Sequence, residues 1–141
     1  MSLNLEAARR IISVALAHGA DHAMKPLSVV VVDAGGHPIA FERSDGASPG
    51  RFEIARAKAY GAVMLGLGGF ALAARAESQP SFVSALNGAF DGRIMPVAGG
   101  VLVRDATGQV IGAVGITGDT SDNDAAAALV GIKAVGLTGE A

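Results

Sequence analysis

The chain has 141 residues, half of them hydrophobic, with no cysteine or tryptophan and a formal net charge of −2. The missing cysteines exclude disulfides, thiolate catalysis and cysteine-ligated metals, and mild acidity without a basic cluster argues against a nucleic-acid partner. A mean hydropathy of +0.43, carried mainly by Ala, Val and Gly, leaves a surplus of small apolar side chains. That surplus predicts one close-packed domain over residues 1–141 that buries further surface between copies, as a homo-oligomer.

No apolar run reaches the roughly 18 residues of a membrane span. Glu6, Arg9 and Arg10 interrupt the start of the chain where a signal peptide would have its apolar core. The expected location is the cytoplasm, with no membrane partner.

Over residues 3–24, Leu5, Ala8, Ile12, Ala15 and Gly19 recur three or four apart, the pattern of an amphipathic helix, which Pro26 ends. Residues 27–33 hold four consecutive valines and read as a strand buried on both faces. Residues 34–37 form a turn and 38–43 a partner strand. Ser48 suits a helix N-cap with Pro49 at the first helical position, and Phe52, Ala55, Ala59 and Ala62 supply that helix with an apolar face. Residues 65–93 carry weaker signals, with short helices expected over 70–76 and 81–90. Residues 99–118 form a second hairpin, and a last helix covers 122–135. In that helix Ser121 and Asp124 have the spacing of a capping box.

The two hairpins repeat one another. "VVVDAGGHPIA" at 30–40 aligns with "LVRDATGQVIG" at 102–112, sharing Asp-Ala-x-Gly-x-x-Ile. Each Asp can accept backbone N–H groups within its turn, and each Gly can take positive φ. Only the first copy carries a histidine, His37, where the second has Gln109. Four strands from two hairpins predict a central antiparallel sheet in an α+β layered domain.

These segments, with the "AKAY" of residues 57–60 and "GITGDTSDND" of 115–124 before an alanine-rich helix, resemble the GlcG/HbpS family, which includes the C-terminal domain of PduO-type proteins. The resemblance implies a profilin-like α-β-α fold, oligomerisation and haem binding. Haem degradation and corrinoid association are further attributions within the family. The chain departs from the family pattern at Gly61, where threonine is usual and a pocket contact is at stake. "PVAGG" and Thr117, where serine is common, are milder changes.

His18 and His22 lie four apart on the first helix and so share one edge of it. They are the candidate haem or metal ligands, facing a cleft between that helix and the sheet or between subunits, or else boundary residues turned to water. Arg43 and Lys58 are the candidate cofactor-binding cations for a propionate, with Arg51 and Arg104 of the same chemistry. Met95 is a soft ligand or core filling, and the acidic cluster at 118–124 reads best as capping. A second reading is a small catabolic isomerase or lyase acting on a hydroxy or oxo acid. His37 or Asp33 would then be the general base, and Lys58 or Arg43 would hold the carboxylate. A third is an interaction domain whose apolar surplus serves assembly alone.

Overall fold

The computed structural model describes residues 3–141. Its elements are α1 (Leu5–Asp21), β1 (Ser28–Asp33), β2 (Pro38–Arg43), α2 (Arg51–Leu65), α3 (Gly69–Ser78), α4 (Pro80–Ala89), β3 (Gly100–Arg104), β4 (Val110–Thr117), α5 (Ser121–Ala134) and β5 (Thr138–Glu140). The strands form one antiparallel sheet in the order β2-β1-β4-β3-β5. The two expected hairpins thus meet along β1 and β4, and the short β5 adds an edge strand beside β3 that the sequence did not announce.

The valine run of β1 is apolar throughout because both faces of the sheet are covered. Val29 and Val31 pack with Ile11, Ile12 and Ala15 of α1 and Ala128 and Ile132 of α5. Val30 and Val32 pack with Ala55, Ala59 and Ala62 of α2. All four valines are fully buried, each contributing roughly 1.5–3 kcal/mol relative to exposure. The result is an α-β-α sandwich, with α1 and α5 on one face and α2 on the other. A satellite core of Tyr60, Leu72, Val83, Leu86 and Ile94 seats α3 and α4 against α2. Gly61 belongs to this satellite, since a Cβ there would lie 3.1 Å from Ile94 and 3.5 Å from Leu72. The departure at position 61 is therefore a packing feature rather than a pocket contact. Among the described residues no single helix is long and apolar enough to cross a membrane.

The repeat is reproduced atom for atom. Asp33 Oδ1 accepts from the N–H of Gly35 (2.9 Å) and His37 (3.0 Å), and Asp105 Oδ1 from Thr107 (2.9 Å) and Gln109 (3.0 Å). Gly36 and Gly108 sit at φ of 80° and 84°, a conformation that glycine enters at little cost. Both hairpins shift register at equivalent points, between Val31 and Val32 and between Val103 and Arg104.

Three helix termini differ from expectation. Helix α1 stops at Asp21, before Pro26. Its last turn closes by Met24 N–H donating to Gly19 O (2.9 Å), with Ala23 at φ 52°, a Schellman ending. Helix α2 begins at Arg51 with Gly50 as its N-cap and no side-chain cap. The Ser48 hydroxyl instead accepts from Arg51 Nε (2.9 Å), which leaves Pro49 outside the helix. Thr120, not Ser121, caps α5 by accepting from Asn123 N–H (3.2 Å). Asp124 therefore lies one position beyond a capping box, and its side chain turns inward.

Candidate functional site

His18 and His22 face outward from the last two turns of α1, His18 half-buried and His22 exposed. Their rings stack at 4.0 Å with an interplanar angle of 27°. His22 Nδ1 lies 2.9 Å from the His18 carbonyl oxygen. A carbonyl only accepts, so this contact requires the proton on Nδ1, and in the neutral ring the lone pair then sits on Nε2. Burial holds the His18 pKa below its ordinary value, and the neighbouring His22 lowers it further, against an opposing effect of Asp21. Burial and His22 both favour the neutral imidazole over the charged one.

The pair lines a cleft of about 360 Å³ together with Met24, Asn123 and Ala126. This cleft lies between α1 and the start of α5. Beneath α1, towards the sheet, Ala8, Ile11, Ile12 and Ala15 are fully buried among valines, so the expected cavity between helix and sheet is filled by core. Asp119 ties the cleft walls together. Its Oδ1 accepts from Lys25 N–H (3.0 Å) and its Oδ2 from Asn123 Nδ2 (2.7 Å). Those donors, Lys25 first, bring its pKa down to about 2.

A carboxylate depressed in the folded state contributes stability above the ordinary value of 3.8, and that stability is lost as pH falls towards about 2. Acid unfolding of Asp119→Asn is therefore expected to show a flatter pH dependence between about 4 and 2 than the parent. An unchanged slope in denaturant titrations across that window would remove Asp119 as the tie.

Lys58 and Asp124 meet at the other side of the sheet's end. Lys58 leaves α2, passes Gly99 and donates to Ile116 O (3.0 Å) and Asp124 Oδ2 (3.3 Å). A Cβ on Gly99 would stand 2.8 Å from the ammonium, so glycine there opens the channel. Asp124 Oδ1 also accepts from Asp119 N–H (3.0 Å). Lys58 is 5% exposed and Asp124 1%. Burial pushes the lysine pKa down and the aspartate pKa up, with the pairing opposing both shifts. The pair clamps the two helical layers together around the end of β4.

Next to it, Arg43, Ser28 and Thr117 are cross-strand neighbours over β2, β1 and β4. Arg51 Nη1 donates to Thr117 Oγ1 (2.8 Å), so threonine serves in place of the family's usual serine. Arg104 is bound to Glu140 Oε1 (3.2 Å) and Gly108 O (2.8 Å) at the second hairpin.

The predicted site residues are therefore not all brought together. The histidines share one cleft, but Lys58 is internally paired and Arg43 is exposed at the end of β2, on the side of the sheet facing α2. Asp33 and His37 stand at the far end of β1, about 17 Å of strand away from Ser28. Asp33 is engaged in its turn and His37 is exposed. No constellation of base and carboxylate-binding cation forms there. Met95 is half-buried, and among the described residues no three His, Asp or Glu side chains converge on a metal position.

Met24, Asn123 and Ala126 escaped notice because the cleft joins segments about a hundred residues apart. Asp124 left a signal. It stands on the same face of α5 as Ala127, Ala128 and Gly131, three, four and seven residues on, where a carboxylate must be buried and paired.

The fold and the cleft define a small α-β-α domain presenting two stacked imidazoles on its outer helical layer. The family model described as haem degrading protein HbpS-like matches residues 3–133, and the chain belongs to the HbpS-like family. The crystal structure of HbpS superposes with a TM-score of 0.82 at 29% identity, over 96% of this chain and 91% of that one. Klebsiella pneumoniae protein ORFY gives 0.81 at 27%, over 93% and 88%. The fold extends to the PduOC:heme complex, with a TM-score of 0.87 at 23% identity over the full length of both chains. No curated protein matches the sequence.

Proposed function

We propose that this protein binds haem at the cleft between α1 and α5, where the His18/His22 pair would supply an imidazole to hold the iron. The observation that carries this reading is the stacked pair beside Met24 and Ala126, in a chain whose family is described as haem-degrading. The donor set suits the group. Neutral imidazoles ligate haem iron, and a ring whose Nδ1–H is held by a carbonyl presents Nε2 in a fixed direction, as metal-bound histidines generally do. His22 has that arrangement with the His18 carbonyl.

Of the two stacked rings, one would hold the iron and the other would flank it. Bound iron would supply redox and oxygen chemistry; the protein's own contribution is the neutral imidazole and the apolar wall. Lys25, adjacent in sequence to Met24 and exposed, would be the nearest candidate in the chain order for a cation to a propionate, the role the sequence suggested for Lys58 and Arg43.

Homo-oligomerisation in the cytoplasm belongs to the same reading. The association of copies is supported by Phe70, Phe82, Leu129 and Val130, all exposed, and by an open cleft that a second copy would cover.

The test is titration of haemin into the metal-free protein, followed at the Soret band, for the parent, His18→Ala, His22→Ala and the double variant. Saturable binding that falls at least about tenfold in one single variant and disappears in the double variant is the expected result. Equal binding by parent and double variant would overturn the ligand assignment, and no saturable shift in the parent would overturn the function. Light scattering on the same samples gives the subunit number.

A further inference from the structure

A second cleft opens on the opposite layer of the molecule, between α2 and the segment that follows α4. It has a volume of about 150 Å³ and is lined by Glu53, Arg56, Ala57, Gly92 and Arg93. Among the described residues its two guanidinium groups are incompletely engaged. Arg56 Nε is buried and makes no hydrogen bond. Among the described residues no carboxylate pairs with Arg56. A buried N–H left unmade is costly, and an anion in the cleft would satisfy it.

Arg93 is already oriented for such a ligand. Its guanidinium lies 4.4 Å from the centre of the Tyr60 ring, and its Nε donates to Phe90 O (3.0 Å). Tyr60 is itself buried in the satellite core, so the arginine is held against a rigid face while its terminal nitrogens remain available. Asp91, at 3.8 Å and largely exposed, is a weak competitor.

From this geometry we infer that the Arg56/Arg93 cleft is a binding site for a short-chain carboxylate bearing a hydroxyl group. Guanidinium forks match the two oxygens of a carboxylate. The third polar group, Glu53, only accepts. It therefore disfavours a dianion such as phosphate and calls for a neutral donor on the ligand, which a hydroxyl supplies. The volume admits a short acid and little more.

The experiment measures binding of lactate, propionate and inorganic phosphate to the full chain by calorimetry, with melting temperature as a second readout. Lactate is expected to bind saturably, about tenfold more tightly than propionate, and phosphate more weakly than lactate. Arg56→Gln and Arg93→Gln should each lower lactate affinity about tenfold or more, while Arg104→Gln, at the second hairpin, leaves it unchanged. Glu53→Gln, on an exposed position where folding is safe, should abolish the preference for lactate over propionate. Absence of saturable lactate binding, undiminished binding in either arginine variant, an intact preference in Glu53→Gln, or tighter binding of phosphate than of lactate would each overturn the assignment.

Discussion

Replacing Asp124 by alanine should destabilise the protein by about 3–5 kcal/mol, because it leaves the Lys58 ammonium buried without its counter-charge. The ion pair is 3.3 Å long with both side chains almost fully enclosed. The substitution also orphans the Asp119 N–H that Asp124 accepts, which lies in the same direction. Lys58→Met leaves the opposite charge behind, and the two single variants should respond oppositely to pH. Burial raises the Asp124 pKa, so native Asp124 takes up a proton more readily than the unfolded chain. Lys58→Met therefore regains stability as pH falls towards the ordinary carboxylate range. Burial lowers the Lys58 pKa, so Asp124→Ala regains stability as pH rises. The double variant Lys58→Met/Asp124→Asn keeps an acceptor for Asp119 and carries no buried charge. It should lie within about 1–2 kcal/mol of the parent, since a buried pair is worth little against neutral residues of similar size. Urea unfolding of the parent, Asp124→Asn, Lys58→Met and the double variant at several pH values closes this cycle, with Asp124→Ala measured beside them. Additive losses in the double variant would show that the two residues do not act as a pair.

Much of this architecture is legible in the sequence because local chemistry and tertiary packing agree there. Four valines in a row demand two covered faces, and the fold covers them with α1 and α5 on one side and α2 on the other. The Asp-x-x-Gly repeat specifies two hairpin turns, and both form with the same bonds. Strand β5 is illegible for the converse reason. Thr138–Glu140 has three residues, one a glycine, and owes its conformation to pairing with Leu102, Val103 and Arg104 rather than to any propensity of its own. At both displaced caps a polar residue stands near the helix start, and competing side-chain bonds, local for Ser48 and tertiary for Asp124, decide which one is used. Ser48 is drawn to the Arg51 side chain and Asp124 to Lys58.

The site divides along the same line. The histidine pair and its edge position follow from helical spacing alone. Which neighbour that edge faces depends on how α5 crosses α1, and Gly131, whose Cβ would press on Ile11 O at 2.7 Å, lets the two helices come close. Lys58 reads as an interior-edge cation from its wheel position. Its partner is 66 residues away, beyond any local pattern. Arg56 and Arg93 went unnoticed because the second follows an irregular turn, with Asp91 at φ 56° and Gly92 at φ 73°, where periodicity gives no direction to a side chain.

Gly115→Ala is the other substitution with a large expected effect, and its cause is space rather than charge. Gly115 in β4 pairs with Gly100 in β3, and the two leave a trough in the face of the sheet. Helix α2 lies in that trough. A Cβ on Gly115 would run into the carbonyl of Ala55, and one on Gly100 into the carbonyl of Lys58. Backbone cannot swing aside as a flexible side chain can. The helix is also fixed from above and below, since Ala55, Ala59 and Ala62 are fully buried and Lys58 is tethered across the end of β4. One added methyl should therefore cost about 3 kcal/mol, the upper part of the range for overpacking. Gly88→Ala in α4 provides the contrast. Nothing lies within 4 Å of its Cβ position, and helix propensity alone should stabilise that variant by up to about 1 kcal/mol. The two changes insert the same methyl group, so opposite shifts of the urea midpoint at a common slope isolate the close approach of α2 to the sheet. A midpoint for Gly115→Ala equal to that of the parent would mean that the helix can lift off the trough, and that the small residues of β3 and β4 do not set the spacing of the layers.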